Sequence, residues 1–323
     1  MIKGNIEIKD LKTGEIYRQP MHSFVWNFLA GLYYTWLADA PDPVHKDTSG
    51  VTDNCQLGPV NALANNNHYG IVIGDGETAE SCDQYALASK LNLTEEICQV
   101  GNVSVAAQVA SLEVSRTFTN NTGGNKTINE IALIDSYGTD YFMDIRDKLA
   151  SGVAINNGVS KNAKYTISVT DGLTKNFMLH LESVFKWANV TIKDTVGTDR
   201  TGQIVAPRID AAEDTKDYGI VIGTDDTAID IEDYQLGTQL TTDWKHFVTA
   251  GYLTERDTAT GISKIGFSRE FRNDTGSSVT VNEIGIVGDF STRNFLFARY
   301  LTGGITVADG ETMLIRLDFK TTM

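Results

Sequence analysis

The stretch "YGIVIGDGETA" at residues 69–79 runs from a short apolar segment into Gly74-x-Gly76-x-x-Ala79. This order of glycines lets a backbone approach a dinucleotide pyrophosphate, and Glu95 and Glu96 lie near the distance at which a ribose-binding acid is sought. Glu130 with Arg116, and Glu283 with Arg269, form a second candidate set. A glutamate used as general acid or base usually has another titratable group beside it, so the expected role is a structural ion pair that pins strand register, with Arg146 and Arg299 as candidates to join it. Clustered Asp225, Asp226, Asp230, Glu232 and Asp233 supply the carboxylate oxygens that calcium takes, but the D-x-D-x-D-G pattern is missing and a solvated acidic turn is expected. The five histidines (His22, His45, His68, His180, His246) fit no H-E-x-x-H spacing, and there is no G-x-S-x-G elbow. No catalytic residue, metal ligand or cofactor is therefore assigned, and an enzyme is not expected.

The elements that hold these residues are written twice. "YGIVIG" at 69–74 returns intact at 218–223, 149 residues on. "FTNNTGG" at 118–124 returns as "FRNDTGS" at 271–277, "NEIAL" at 129–133 as "NEIGI" at 282–286, and Arg116 and Arg146 return as Arg269 and Arg299. Two tandem copies of one domain are the simplest account. The second copy answers the nucleotide question: Gly76 is replaced there by Asp225, followed by Asp226, and two carboxylates repel a pyrophosphate. His22, His45 and His68 fall on Asp171, Asp194 and Asp217 of the second copy, so none has a histidine counterpart.

Each copy opens with an amphipathic segment, around Met21–Trp36 and Phe177–Trp187, and continues in short strand signals separated by Gly, Asn and Asp turns. "SLEVSRTF" is expected to reverse through "TNNTGGNK" into "TINEIALI" as a hairpin, which would set Arg116 nearly opposite Glu130. The expected fold class is mainly β: two tandem homologous β-sandwich domains, Ig-like or jelly-roll-like, each preceded by an amphipathic helix. The divisions are an N-terminal hairpin arm at 1–20, copy one at 21–170 and copy two at 171–323, with the boundary at the turn Asp171-Gly172. The arm either adds to the sheet edge of a neighbouring molecule or completes the sheet of copy one. Ile2, Ile6 and Ile8 in the arm, and Phe24, Trp26 and Trp36 in the first helix, are the candidate partner contacts, because six aromatics crowd that helix all round its axis.

With 42 acids against 27 bases the chain carries a formal charge of −15, which speaks against a sequence-independent grip on nucleic acid. Cys55, Cys82 and Cys98 form neither a disulfide framework nor a zinc motif, which points to synthesis in a reducing compartment. Phe24–Ala38 is too short and too interrupted for a membrane span, and Met1–Lys12 alternates like a strand and not like a signal peptide.

The series "HSFVWNFLAGLY", "GIVIGDGET", "DQYALASKL", "FTNNTGGNKTINEIAL" and "ASGVAINNG", with its second-copy counterparts, resembles a pattern in virion structural proteins of tailed bacteriophages. The resemblance covers most of both copies and rests on strand and turn signatures, so it transfers no catalytic residue. It implies a head-surface, neck or tail component made in the host bacterial cytoplasm and incorporated in the virion. Its expected partners are copies of itself and other virion proteins, as a homo-oligomer in a ring or tube. The alternative is a particle-surface fibre or decoration protein that binds host glycans through exposed loops.

Overall fold

A computed structural model describes residues 2–21, 24–37, 45–53, 56–257 and 259–322. The fold is mainly β, with several sheets and two helices among the described residues. The strands up to residue 106 are β1 (Ile2–Asp10), β2 (Ile16–Pro20), β3 (His45–Lys46), β4 (Thr52–Asp53), β5 (Gly70–Gly74), β6 (Thr94–Glu95), β7 (Gln99–Val100) and β8 (Ser104–Ala106). Then follow the longer β9 (Val109–Thr119), β10 (Lys126–Tyr137), β11 (Asp140–Ile155) and β12 (Ser160–Val169). The second half holds β13 (Val190–Lys193), β14 (Asp199–Gly202), β15 (Gly219–Gly223), β16 (Trp244–His246), β17 (Ala250–Asp257), β18 (Ile262–Asn273), β19 (Val279–Phe290), β20 (Arg293–Val307) and β21 (Thr312–Thr322). Helix α1 covers Trp26–Trp36 and helix α2 covers Lys175–Lys186.

The expected hairpin across "TNNTGGNK" does not form. β9 pairs with β12 and with β6, β7 and β8, whereas β10 pairs with β11 and β5 in another sheet. The connecting segment crosses from one sheet to the other, and Asn120 ties it down by donating to the carbonyls of Gly124 (2.8 Å) and Ile155 (2.7 Å). The second half repeats this crossing: β18 lies with β16, β17 and β21, β19 lies with β15 and β20, and Asn273 donates to Ser277 O and Val307 O. Both strands flanking the crossing are largely buried, so each adds apolar surface to a different layer, which a two-strand ribbon cannot do. Hairpins do form one connection later, in β10–β11 and β19–β20.

The N-terminal hairpin is no free arm. β1 pairs antiparallel with β12 from Ile2↔Val169 to Asp10↔Lys161, and β2 pairs with β1. Ile6 and Ile8 are fully buried in the core of the same chain, Ile2 packs half-buried against it, and Lys161 Nζ meets Asp10 Oδ2 at 3.0 Å. Burying Ile6 and Ile8 contributes about 1.5–3 kcal/mol each, so these two side chains belong to the chain's own stability and are not open contacts for a neighbour.

The helical aromatics are corrected the same way. Phe24, Trp26 and Trp36 are buried within the chain, and in α1 only Tyr34 escapes full burial. Strands of both halves enclose the helix, β11 and β3 from the first and β18 from the second, and its end lies in the second half: Trp36 stacks on Phe297 with ring centroids 5.8 Å apart and also contacts Phe177, Phe267 and Phe319. Helix α2 packs in turn on β9 and β12 of the first half. Backbone hydrogen bonds follow the same exchange, since Val60 N donates to Phe185 O (2.9 Å) and Ile209 N to Trp36 O (3.0 Å). One apolar core therefore runs through both halves.

Candidate functional site

Gly74 and Gly76 prove to be packing glycines. β5 lies beside β10 with Gly74 opposite Glu130, and a Cβ at Gly74 or Gly76 would run into the Glu130 carboxylate. Gly223 meets Glu283 in the same manner. The glycines thus let a buried glutamate reach past the strand to the loop beyond it. Glu130 accepts from the backbone N–H groups of Ala88 (3.2 Å) and Ser89 (2.9 Å), and Glu283 from those of Gly237 (3.1 Å) and Thr238 (3.0 Å).

The charge partner differs from the expected one. Because β9 and β10 lie in separate sheets, Arg116 does not pair with Glu130. Arg146 does, through Nε at 3.0 Å and Nη2 at 2.7 Å, and Arg299 holds Glu283 through Nε at 2.8 Å. Both pairs are buried in the chain. Arg146 spends its remaining donors on Gln84 Oε1 (2.8 Å) and Thr78 O (3.0 Å).

The acidic cluster of the second half is not merely solvated. Asp225 Oδ2 lies 2.7 Å and Asp233 Oδ2 3.0 Å from the Arg299 guanidinium, while Glu232 pairs with Lys175. A cationic side chain holds the centre where a calcium ion would sit, and among the described residues no group of three or more His, Cys, Asp or Glu converges as a metal cage.

Arg116 and Arg269 perform a different task. Arg116 donates to five carbonyls, those of Glu96, Tyr69, Ile71, Leu63 and Asn66. Arg269 donates to those of Phe247, Tyr218, Ile220, Ala212 and Thr215. Each guanidinium gathers loop backbone that crosses the sheet and satisfies carbonyls that burial would otherwise leave unpaired. Glu95 lies 3.4 Å from Arg116, whereas among the described residues Arg269 has no carboxylate in contact, and burial lowers it to about 10.

Three histidines are buried as neutral rings. Burial holds His45, His180 and His246 down to about 4. His180 Nδ1 donates to Ile204 O at 2.8 Å, and its Nε2 faces the Trp36 indole N–H at 3.4 Å, which bonds the neutral ring on both sides. His68 stacks on Tyr141 at the surface, and His22 and Cys55 lie outside the described residues. Burial raises the Cys98 thiol to about 11, so it is no activated nucleophile.

Sequence reasoning missed one cluster. Asp135 and Asp144 are both buried, and burial raises both carboxyls, Asp135 to about 7; Asp144 is raised well above its ordinary value by burial and by the facing Asp135. Asp135 accepts from Gly58 N; among the described residues neither oxygen of Asp144 has a hydrogen-bond partner. The second half carries Gly288 and Phe297 at the matching places, 153 residues on. Both faces of β10 are buried around Asp135, so no alternation in the sequence marks it.

An open groove of about 520 Å³, lined by Asn65, Thr94, Glu96, Gln99, Ser115 and Asn162, runs over the outer side of Arg116. No helix is long and apolar enough to cross a membrane among the described residues. No protein-family model, curated protein or solved structure matches the chain.

Proposed function

We propose that this chain is a structural subunit of a tailed-phage virion, built from two homologous β-sandwich units, that self-assembles into a ring or tube in the neck or tail. It is made in the host cytoplasm and works by shape, without catalysis or cofactor. The reciprocal pair Val60–Phe185 and Ile209–Trp36 carries this reading: 149 residues separate both the donors and the acceptors, the pattern a two-fold dimer makes between subunits. The matching buried groups Glu130 and Glu283, and Arg116 and Arg269, tie strands to loops, as a rigid brick requires. Paired units give each chain two similar outer surfaces, which can halve the number of chains needed around an axis.

The groove above Arg116 favours a second reading, since amide and hydroxyl groups at Asn65, Thr94, Gln99, Ser115 and Asn162 suit sugar hydroxyls. Native mass spectrometry and electron microscopy of the purified chain separate the two. Closed rings or tubes of fixed copy number are expected. A monomer at every concentration, combined with selective retention on a glycan array, would instead establish the binding-module reading.

A further inference from the structure

The two halves end in sheets whose outer edges are treated differently. In the first half, β12 has β9 on one side and is covered along its other edge by β1. In the second half, β21 pairs with β18 on one side, and among the described residues no strand lies on the other. β21 is eleven residues long, contains no proline and presents alternating faces, with Met313, Ile315 and Phe319 buried and Leu314, Arg316, Asp318 and Lys320 exposed. Its outward-facing N–H and C=O groups form a template for another strand. The opposite end of the chain is blunted: β2 is five residues long and ends in Pro20, which cannot donate to a ladder.

We propose that β21 pairs antiparallel with β21 of a second copy of this chain, about a two-fold axis at Leu317. The charge order selects this partner and this register. When all eleven residues are paired, Thr312 to Thr322, Arg316 of each copy falls opposite Asp318 of the other, twice over, and Lys320 lies across the exposed Leu314 with its stem available to cover it. On the other face Ile315 meets Phe319, so the apolar layer continues through the joint. A two-residue slip in either direction sets Arg316 opposite Arg316 or Asp318 opposite Asp318, and a one-residue slip turns charged side chains onto the apolar face. Half one supplies the precedent. Lys164 holds the place of Arg316 on β12, and the covering strand sets an acid, Glu7, opposite it. Arg316 makes no ion pair among the described residues, and Asp318 Oδ2 lies 3.5 Å from Lys264 Nζ.

This contact rests on the self-assembly reading above and names one of its surfaces. Sedimentation velocity over a hundredfold concentration range tests it on the whole chain, with Arg316→Asp, Asp318→Arg and the double exchange, each checked for an unchanged melting temperature. Either single change places two pairs of like charges across the joint and is expected to weaken association at least tenfold. The double exchange restores opposite charges and is expected to return affinity to within about threefold of the original. Association that ignores both single changes overturns the β21 contact while leaving self-assembly standing. Loss that the double exchange does not restore overturns the register. A chain that is monomeric throughout overturns both readings, and a dimer alone, broken and restored as described, keeps the contact and removes the ring or tube.

Discussion

Glu130 and Glu283 sit at matching places and accept the same pair of loop N–H groups, yet the charge around them differs. Arg146 faces one carboxylate, with a neutral glutamine and a carbonyl completing its shell; Arg299 faces three carboxylates, from Glu283, Asp225 and Asp233. The same strands tolerate both arrangements because the additional acids sit at the rim, each side chain 22% exposed, where water shares their charge. The buried glutamate–arginine pair therefore carries the architecture, and the outer ligands are free to vary.

The largest effect is expected from removing the arginines. Arg146→Met and Arg299→Met should each cost about 3–5 kcal/mol in urea unfolding, since either leaves a buried carboxylate without its cation. Arg299→Met should be the worse of the two at low ionic strength, because three acids are then left facing one another. Added salt should narrow the gap, because the two rim acids are screened while Glu130 and Glu283 are not. Equal losses at every salt concentration would show that Asp225 and Asp233 contribute nothing to the site.

The next contrast is between the covered edge and the open one. Ile8 locks β1 onto the first half and is 1% exposed, whereas among the described residues the second half has no such strand. Ile8→Ala should cost about 2–4 kcal/mol through lost burial and the cavity left behind. Hydrogen exchange should show β12 losing protection while β21 is unchanged. A loss confined to assembly, with stability intact, would return the hairpin to the role of a free arm.

Much of this was legible in the sequence. The mainly β character, the N-terminal hairpin around Gly14 and the two helices followed from periodicity and turn residues, because those signals are local. The path of the chain at "TNNTGGNK" was not, since two apolar strands joined by a polar turn read alike whether they pair or cross between layers. That one choice moved Arg116 away from Glu130 and left Arg146 as its partner. The burial of Trp36 against Phe297 and Phe319 was equally hidden: spacing shows that a helix is apolar all round, and only the fold shows that the second half covers its C-terminal tryptophan.

The smallest contrast, about 1–3 kcal/mol, tests the pair that the second half lacks. Asp135 and Asp144 keep protons in the folded chain that unfolding releases once the pH passes the ordinary carboxyl range near 4. The folded state then binds more protons, so stability falls as pH rises, through about 7 for Asp135, with the raised Asp144 acting in the same sense. His45, His180 and His246 act in the opposite sense between about 4 and their ordinary value near 6.5, where only the unfolded chain is protonated and stability climbs with pH. Between pH 6.5 and 8 the histidines no longer compensate, and the aspartates contribute a downward slope. Asp144→Leu, an apolar group as Phe297 is in the second half, should therefore stabilise the chain at pH 8 by about 1–3 kcal/mol and flatten the decline above pH 6.5. Urea midpoints measured from pH 5 to 9 decide it: a variant that still loses stability as steeply between pH 6.5 and 8 would mean that the two carboxyls do not titrate as a buried pair.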